Sequence, residues 1–98
     1  QRSTKIIGVI VSKTYQDLIL AVHKALNGDW DGSHKIVQDM DLDLARWTHA
    51  VLHKIEGDEP NSRYWYSRSR LCEYEDYENT KDELSRITEH INDLSLPK

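Results

Sequence analysis

Two stretches of the chain, ALNGDWDGSHKIV (Ala25–Val37) and KIEGDEPNSRYWY (Lys54–Tyr66), align without a gap, with Ala25 matching Lys54 at an offset of 29 residues. In both, an apolar helical run ends at Gly-Asp and a serine follows four residues after the aspartate. Glycine after the last helical residue takes the left-handed conformation that closes a helix. Aspartate immediately after it can cap the next helix. The pair is therefore a stop-and-start device, and its repetition predicts two antiparallel helical hairpins.

The helices on either side follow from periodicity. Thr14, with Asp17 three residues on, reads as the cap of a first helix. Its apolar side is Tyr15, Leu18, Ile19, Val22, Ala25 and Leu26. A second, shorter helix runs from Trp30 to about Asp39. The aspartates of DMDLD (Asp39–Asp43) suit turns and caps. A third helix runs from about Leu44 to Glu56, with Leu44, Trp47, Val51, Leu52 and Ile55 on its apolar face. Pro60 falls in the first turn of a fourth, where a missing N–H is tolerated; that helix reaches about Cys72. Residues 1–13 are expected to form an N-terminal arm or an early extension of the first helix, because IIGVIV has no second strand to pair with. Residues 73–98 are read as an acidic linker and a closing helix, part of the same domain as the hairpins of residues 14–72. Leu84, Ile87, Ile91 and Leu94 of that helix form a narrow seam, which either packs across the hairpins or joins two chains as a homodimer through residues 76–98. The expected class is thus all-α: two stacked hairpins plus a C-terminal helix acting as a lid on the open end.

The turn and following helix in EGDEPNSRYWYSRS are similar to a tetratricopeptide unit, although the offset is shorter than that family's period of about 34 residues. A closer likeness lies in GDWDGSHKIVQD followed by HAVLHKIEGDEPNSRYWYSR. It resembles a group of small uncharacterised bacterial helical proteins with the pattern GDWDxxH, HAxLHxxEGDxxN and YWY. The likeness covers roughly Gly28–Arg68 and implies fold and source class rather than an activity. Gly32, Ser62 and Ser69 depart from that pattern.

The His-rich stretch carries the chemistry. On the third helix His49, His53, Glu56 and Arg46 fall within about 80° of one another, opposite Trp47, Val51 and Ile55. An i, i+4 histidine pair can face one metal ion. Ala50 stands where a zinc protease has its glutamate, so the stretch is not that motif. His53-x-x-Glu56 reverses the order found in di-iron bundles. His49 and Glu56 are separated by about 10 Å of helical rise, too far for one ion to hold both along with His53. A site needs a ligand from elsewhere, and His34 on the neighbouring helix is the natural one. The competing reading is a polar stripe of histidines bonded to carboxylates or tyrosines.

The leading expectation is a protein- or small-molecule-binding module, with no cofactor. Its groove would lie between the second, third and fourth helices, lined by His34, His49, His53, Glu56, Arg63 and Tyr64. The alternative is a metal-dependent, hydrolase-like enzyme holding zinc or another divalent metal through His34, His49 and His53, with Glu56 as ligand or base. A net charge of −4 argues against nucleic acid as a partner. No apolar run reaches the roughly 20 residues of a membrane span. One cysteine, Cys72, cannot form an internal disulfide and fits a cytoplasmic setting. Gln1 in place of Met leaves an upstream signal open. Trp30 and Trp47 read as packing anchors.

Overall fold

The computed structural model describes residues 2–95, with side chains from 13 to 94. Within them the chain forms α1 (Arg2–Leu26), α2 (Trp30–Val37), α3 (Asp43–Ile55), α4 (Glu59–Ser69), a short 3-10 turn (Tyr74–Asp76) and α5 (Thr80–Ser95). No strand occurs among the described residues, so the fold is all-α. Among the described residues no helix is long and apolar enough to cross a membrane.

The repeated device appears twice with the same hydrogen bonds. Gly28 and Gly57 both sit at φ +85°. The N–H groups of Asp29 and Asp58 donate back to the carbonyls of Lys24 and His53 at 2.8 and 2.9 Å. Those of Gly28 and Gly57 reach Ala25 and Lys54, both at 3.1 Å. This double closure satisfies the last carbonyls of α1 and α3. The aspartate carboxylates then cap the next helices, accepting from Gly32 N–H at 3.0 Å and Asn61 N–H at 3.3 Å.

The expected arm is not separate from the first helix. α1 runs unbroken from Arg2, so Thr14 lies inside it and is not a cap. A helix satisfies the backbone of the β-branched run internally, where a lone strand would leave it unpaired. Gln1 lies outside the described residues. At the other end of the repeats, α4 stops at Ser69 because Arg70 takes the left-handed conformation, φ 59°.

Helices adjacent in sequence pack in pairs, α1 with α2 and α3 with α4, and α2 also meets α3. Small residues let each pair approach closely. Ser62 Oγ donates to the Ala50 carbonyl at 2.7 Å, with both residues fully buried. Ala21 and Ser33, their equivalents one repeat earlier, are also fully buried.

The last helix departs from expectation in position. A lid on the open end would pack on α4, whereas α5 lies against α1 and α3. Its seam of Leu84, Ile87 and Ile91 is buried among Leu18, Ala21 and Val22 of α1 and Trp47, Ala50 and Val51 of α3. The seam that suggested pairing through residues 76–98 is thus used inside the chain, and only Leu94 at its end is exposed. α5 also brings in Glu83, which is fully buried. Its carboxylate accepts from Trp47 Nε1 at 2.7 Å, Tyr66 OH at 2.5 Å and Lys54 Nζ at 3.0 Å. Lys54 also donates to the Tyr74 and Tyr77 carbonyls at 2.9 and 3.0 Å. One ion pair therefore ties α3, α4 and α5 to the segment between the last two helices.

Candidate metal centre

The contact between α2 and α3 is where the histidines meet. α2 begins at Trp30, capped by Asp29, so His34 lies just over one turn into it, facing α3. Trp30, one turn earlier, anchors that end of α2. Its indole Nε1 donates to the Leu52 carbonyl at 2.6 Å, and its ring stacks on His34 with centroids 4.7 Å apart. On α3, His49 and His53 are one turn apart and stack at 4.9 Å. The His34 ring stands edge-on to both, at 4.6 Å from His49 and 5.6 Å from His53.

One ring nitrogen from each of these three residues lies within 4.8 Å of the other two. Nitrogens around a tetrahedral zinc, at metal distances of about 2.0–2.1 Å, are spaced by about 3.3 Å, so small side-chain rotations close the gap. His49 and His53 are buried, at 4% and 7% exposure, and His34 is half-buried. His34 and His49 make no side-chain hydrogen bond among the described residues. Imidazole nitrogens gathered in this way, with no hydrogen bond to hold them, are available as ligands.

The electrostatics fit neutral imidazoles. Burial pushes the His49 pKa down to about 4, with the neighbouring His34 and His53 acting in the same direction. Burial, then His53, also lowers His34. Uncharged histidine is the form that binds a metal. The walls are aromatic: Trp65 lies over His49 at 4.0 Å, and Trp30 lies over His34 at 4.7 Å.

Of the six residues predicted for the groove, the structure brings His34, His49 and His53 together. Glu56 is beside them but bonded to one of them: its Oε2 accepts from His53 Nδ1 at 2.6 Å. A second grouping, His53, Glu56 and Asp58, also lies within 4.8 Å. There Asp58 is already the α4 cap. Tyr64 is exposed and touches the site only through the edge of Trp65, 5.2 Å away. Arg63 is not part of it. It is exposed, bonds Glu59 at 2.7 Å and pairs with Glu75, and its guanidinium sits over Tyr74. Position 63 is the repeat equivalent of position 34, and the α4 surface there meets the 3-10 turn, not another repeat. Arg46 is likewise drawn away, to Asp41 and Asp43 at the start of α3.

Sequence reasoning missed Trp65 as a wall of the site and read Trp30 as packing alone. The helical spacing of Trp30 and His34 was the available signal for a stacked pair. For Trp65 the signal was weaker, because its partner His49 is on a different helix.

No family model, curated protein or solved structure matches this chain, so its function has to follow from the chemistry of the site.

Proposed function

We propose that the protein is a ligand-binding module whose ligand is a divalent transition-metal ion, zinc being the best fit, held by His34, His49 and His53. The observation that carries this reading is the convergence of three imidazoles from two helices within 4.8 Å. Three nitrogen donors suit zinc, copper or nickel, and are a poor match for magnesium or calcium, which take oxygen. Asp31 and Glu56 act electrostatically on His34 and favour positive charge at the site. A half-buried single cysteine, with its thiol pushed up to about 12 by burial, stays a bystander, which fits a cytoplasmic protein.

Titration of chelator-treated protein with Zn(II) by calorimetry, and with Co(II) by visible absorption, tests the reading. One ion per chain is expected, in a site lost in His34→Ala, His49→Ala and His53→Ala. Absence of binding to the folded wild type would sink it.

A hydrolytic activity is the second reading. It is favoured by the count of protein ligands: three histidines leave the fourth tetrahedral position for water, as catalytic zinc requires. A zinc-dependent rate on activated esters, absent in His49→Ala, would support it.

A further inference from the structure

The carboxylate beside the histidines has a different role from the one its position in sequence suggested. We infer that Glu56 is a positioning residue for the metal centre, not a ligand: it holds the Nδ1 proton of His53 and commits Nε2 to the ion. The inference rests on the three-histidine reading.

A carboxylate has no proton to give, so the 2.6 Å contact requires the hydrogen on His53 Nδ1. The ring then has one lone pair, on Nε2, and that nitrogen makes no hydrogen bond among the described residues. A metal-binding histidine is commonly held this way by a carboxylate, which sets its tautomer and makes it a better donor. Among the described residues the other two histidines have no such partner; aromatic rings hold them instead, Trp30 against His34 and Trp65 against His49. His53 is thus the one imidazole in the cluster whose proton position the protein dictates.

The backbone behind this pair is rigid. Glu56 is the C-cap of α3, directly before Gly57. The His53 carbonyl is held by Asp58 N–H at 2.9 Å, so the turn places the glutamate at the Nδ1 edge of the histidine three residues back. In the grouping of His53, Glu56 and Asp58, by contrast, one oxygen of each carboxylate is already engaged, by His53 Nδ1 and by the cap to Asn61.

The first repeat is an internal control. The positions matching His53 and Glu56 are Lys24 and Asn27, and the turn there closes with the same hydrogen bonds. Lys24 turns instead to Asp29, at 3.3 Å. The Gly-Asp device therefore does not need a His–Glu pair. It follows that Glu56 can be replaced, even by the asparagine of the first repeat, without loss of the fold.

The experiment compares wild type, Glu56→Gln, Glu56→Asn and His53→Ala, each checked for helicity by circular dichroism, with Zn(II) affinity measured by chelator competition. Imidazole nitrogen shifts in the metal-free proteins report the His53 tautomer. The expected result is wild-type binding, an affinity about 10- to 100-fold weaker in the two Glu56 variants, and a larger loss in His53→Ala. Metal-free wild type should carry its His53 proton on Nδ1, and Glu56→Asn should show a mixture. If the Glu56 variants bind as tightly as wild type, the positioning role is wrong and the three-histidine site stands. If they lose zinc as completely as His53→Ala, Glu56 is a ligand. If wild type binds no zinc, the site and this inference fall together.

Discussion

Trp65 lies flat against His49, ring centroids 4.0 Å apart and planes within 15°. The contact helps bury an imidazole that makes no side-chain hydrogen bond among the described residues, and that burial holds its pKa down to about 4. The consequence is a pH-dependent stability. Above about pH 6.5 the imidazole is neutral in both folded and unfolded chains, and pH has no effect through it. Between 6.5 and 4 the unfolded chain takes a proton that the folded one refuses, so stability falls as pH falls. The full loss is about 3 kcal/mol once pH is below the folded value. His34, shifted in the same direction, adds to it. Urea denaturation of metal-free protein at pH 7.5 and 4.5 should show this loss, and Trp65→Ala should move the His49 titration back toward 6.5.

The buried Glu83 carboxylate serves three donors at once, from Trp47, Tyr66 and Lys54. Removing it leaves a nearly buried ammonium without its counter-charge. Glu83→Ala is expected to cost about 3–5 kcal/mol, as breaking a buried pair from one side does. Pairing it with Lys54→Met should recover much of that, because the unmatched charge goes too. Thermal denaturation of the two variants checks the order; equal losses would show that the Trp47 and Tyr66 bonds dominate.

Ser62 and Ser33 occupy equivalent places in the two repeats and are both fully buried. Ser62 Oγ donates to the Ala50 carbonyl, whereas Ser33 Oγ has no partner among the described residues. Ser62→Ala should therefore destabilise by about 1 kcal/mol, and Ser33→Ala should be neutral or stabilising. Denaturant midpoints distinguish them, and a matching loss at Ser33 would mean that its hydroxyl finds a partner in solution.

Arg70 closes α4 in the left-handed region at φ 59°. Its side chain is exposed and makes no ion pair among the described residues. Arg70→Gly should raise stability by about 0.5–1 kcal/mol by removing the Cβ cost of that conformation. A higher melting temperature checks it, and Arg70→Ala should give no gain.

The parts of the molecule legible in sequence are those that act over a few residues. Gly28–Asp29 and Gly57–Asp58 could be read as helix stops and starts because a left-handed glycine and a capping carboxylate operate within one turn. Most of the apolar faces of α3 and α5 could be read from period alone, and so could the shared direction of His49 and His53; Ile55 and Leu94, at the ends of those faces, are exposed, and the two histidines opposite the α3 face are buried. Residues 2–13 were ambiguous because a β-branched run is compatible with strand and helix until the rest of the chain offers it no strand.

What tertiary structure decided were contacts between helices. Whether His34 meets His49 depends on how α2 lies against α3, where the Trp30 indole bonds the Leu52 carbonyl. Arg63, equivalent to His34 by repeat, was sent elsewhere because α4 has the 3-10 turn beside it instead of another hairpin. Glu83 sat unnoticed in an acidic segment, since its three partners are 17 to 36 residues away. Local hydrogen bonds and periodicity are properties of the chain near each residue, so the sequence alone determined the helices and the device that joins them. Burial and convergence are properties of the packed whole, so only the fold could turn three separate histidines into one site and an ordinary glutamate into the center of an ion pair.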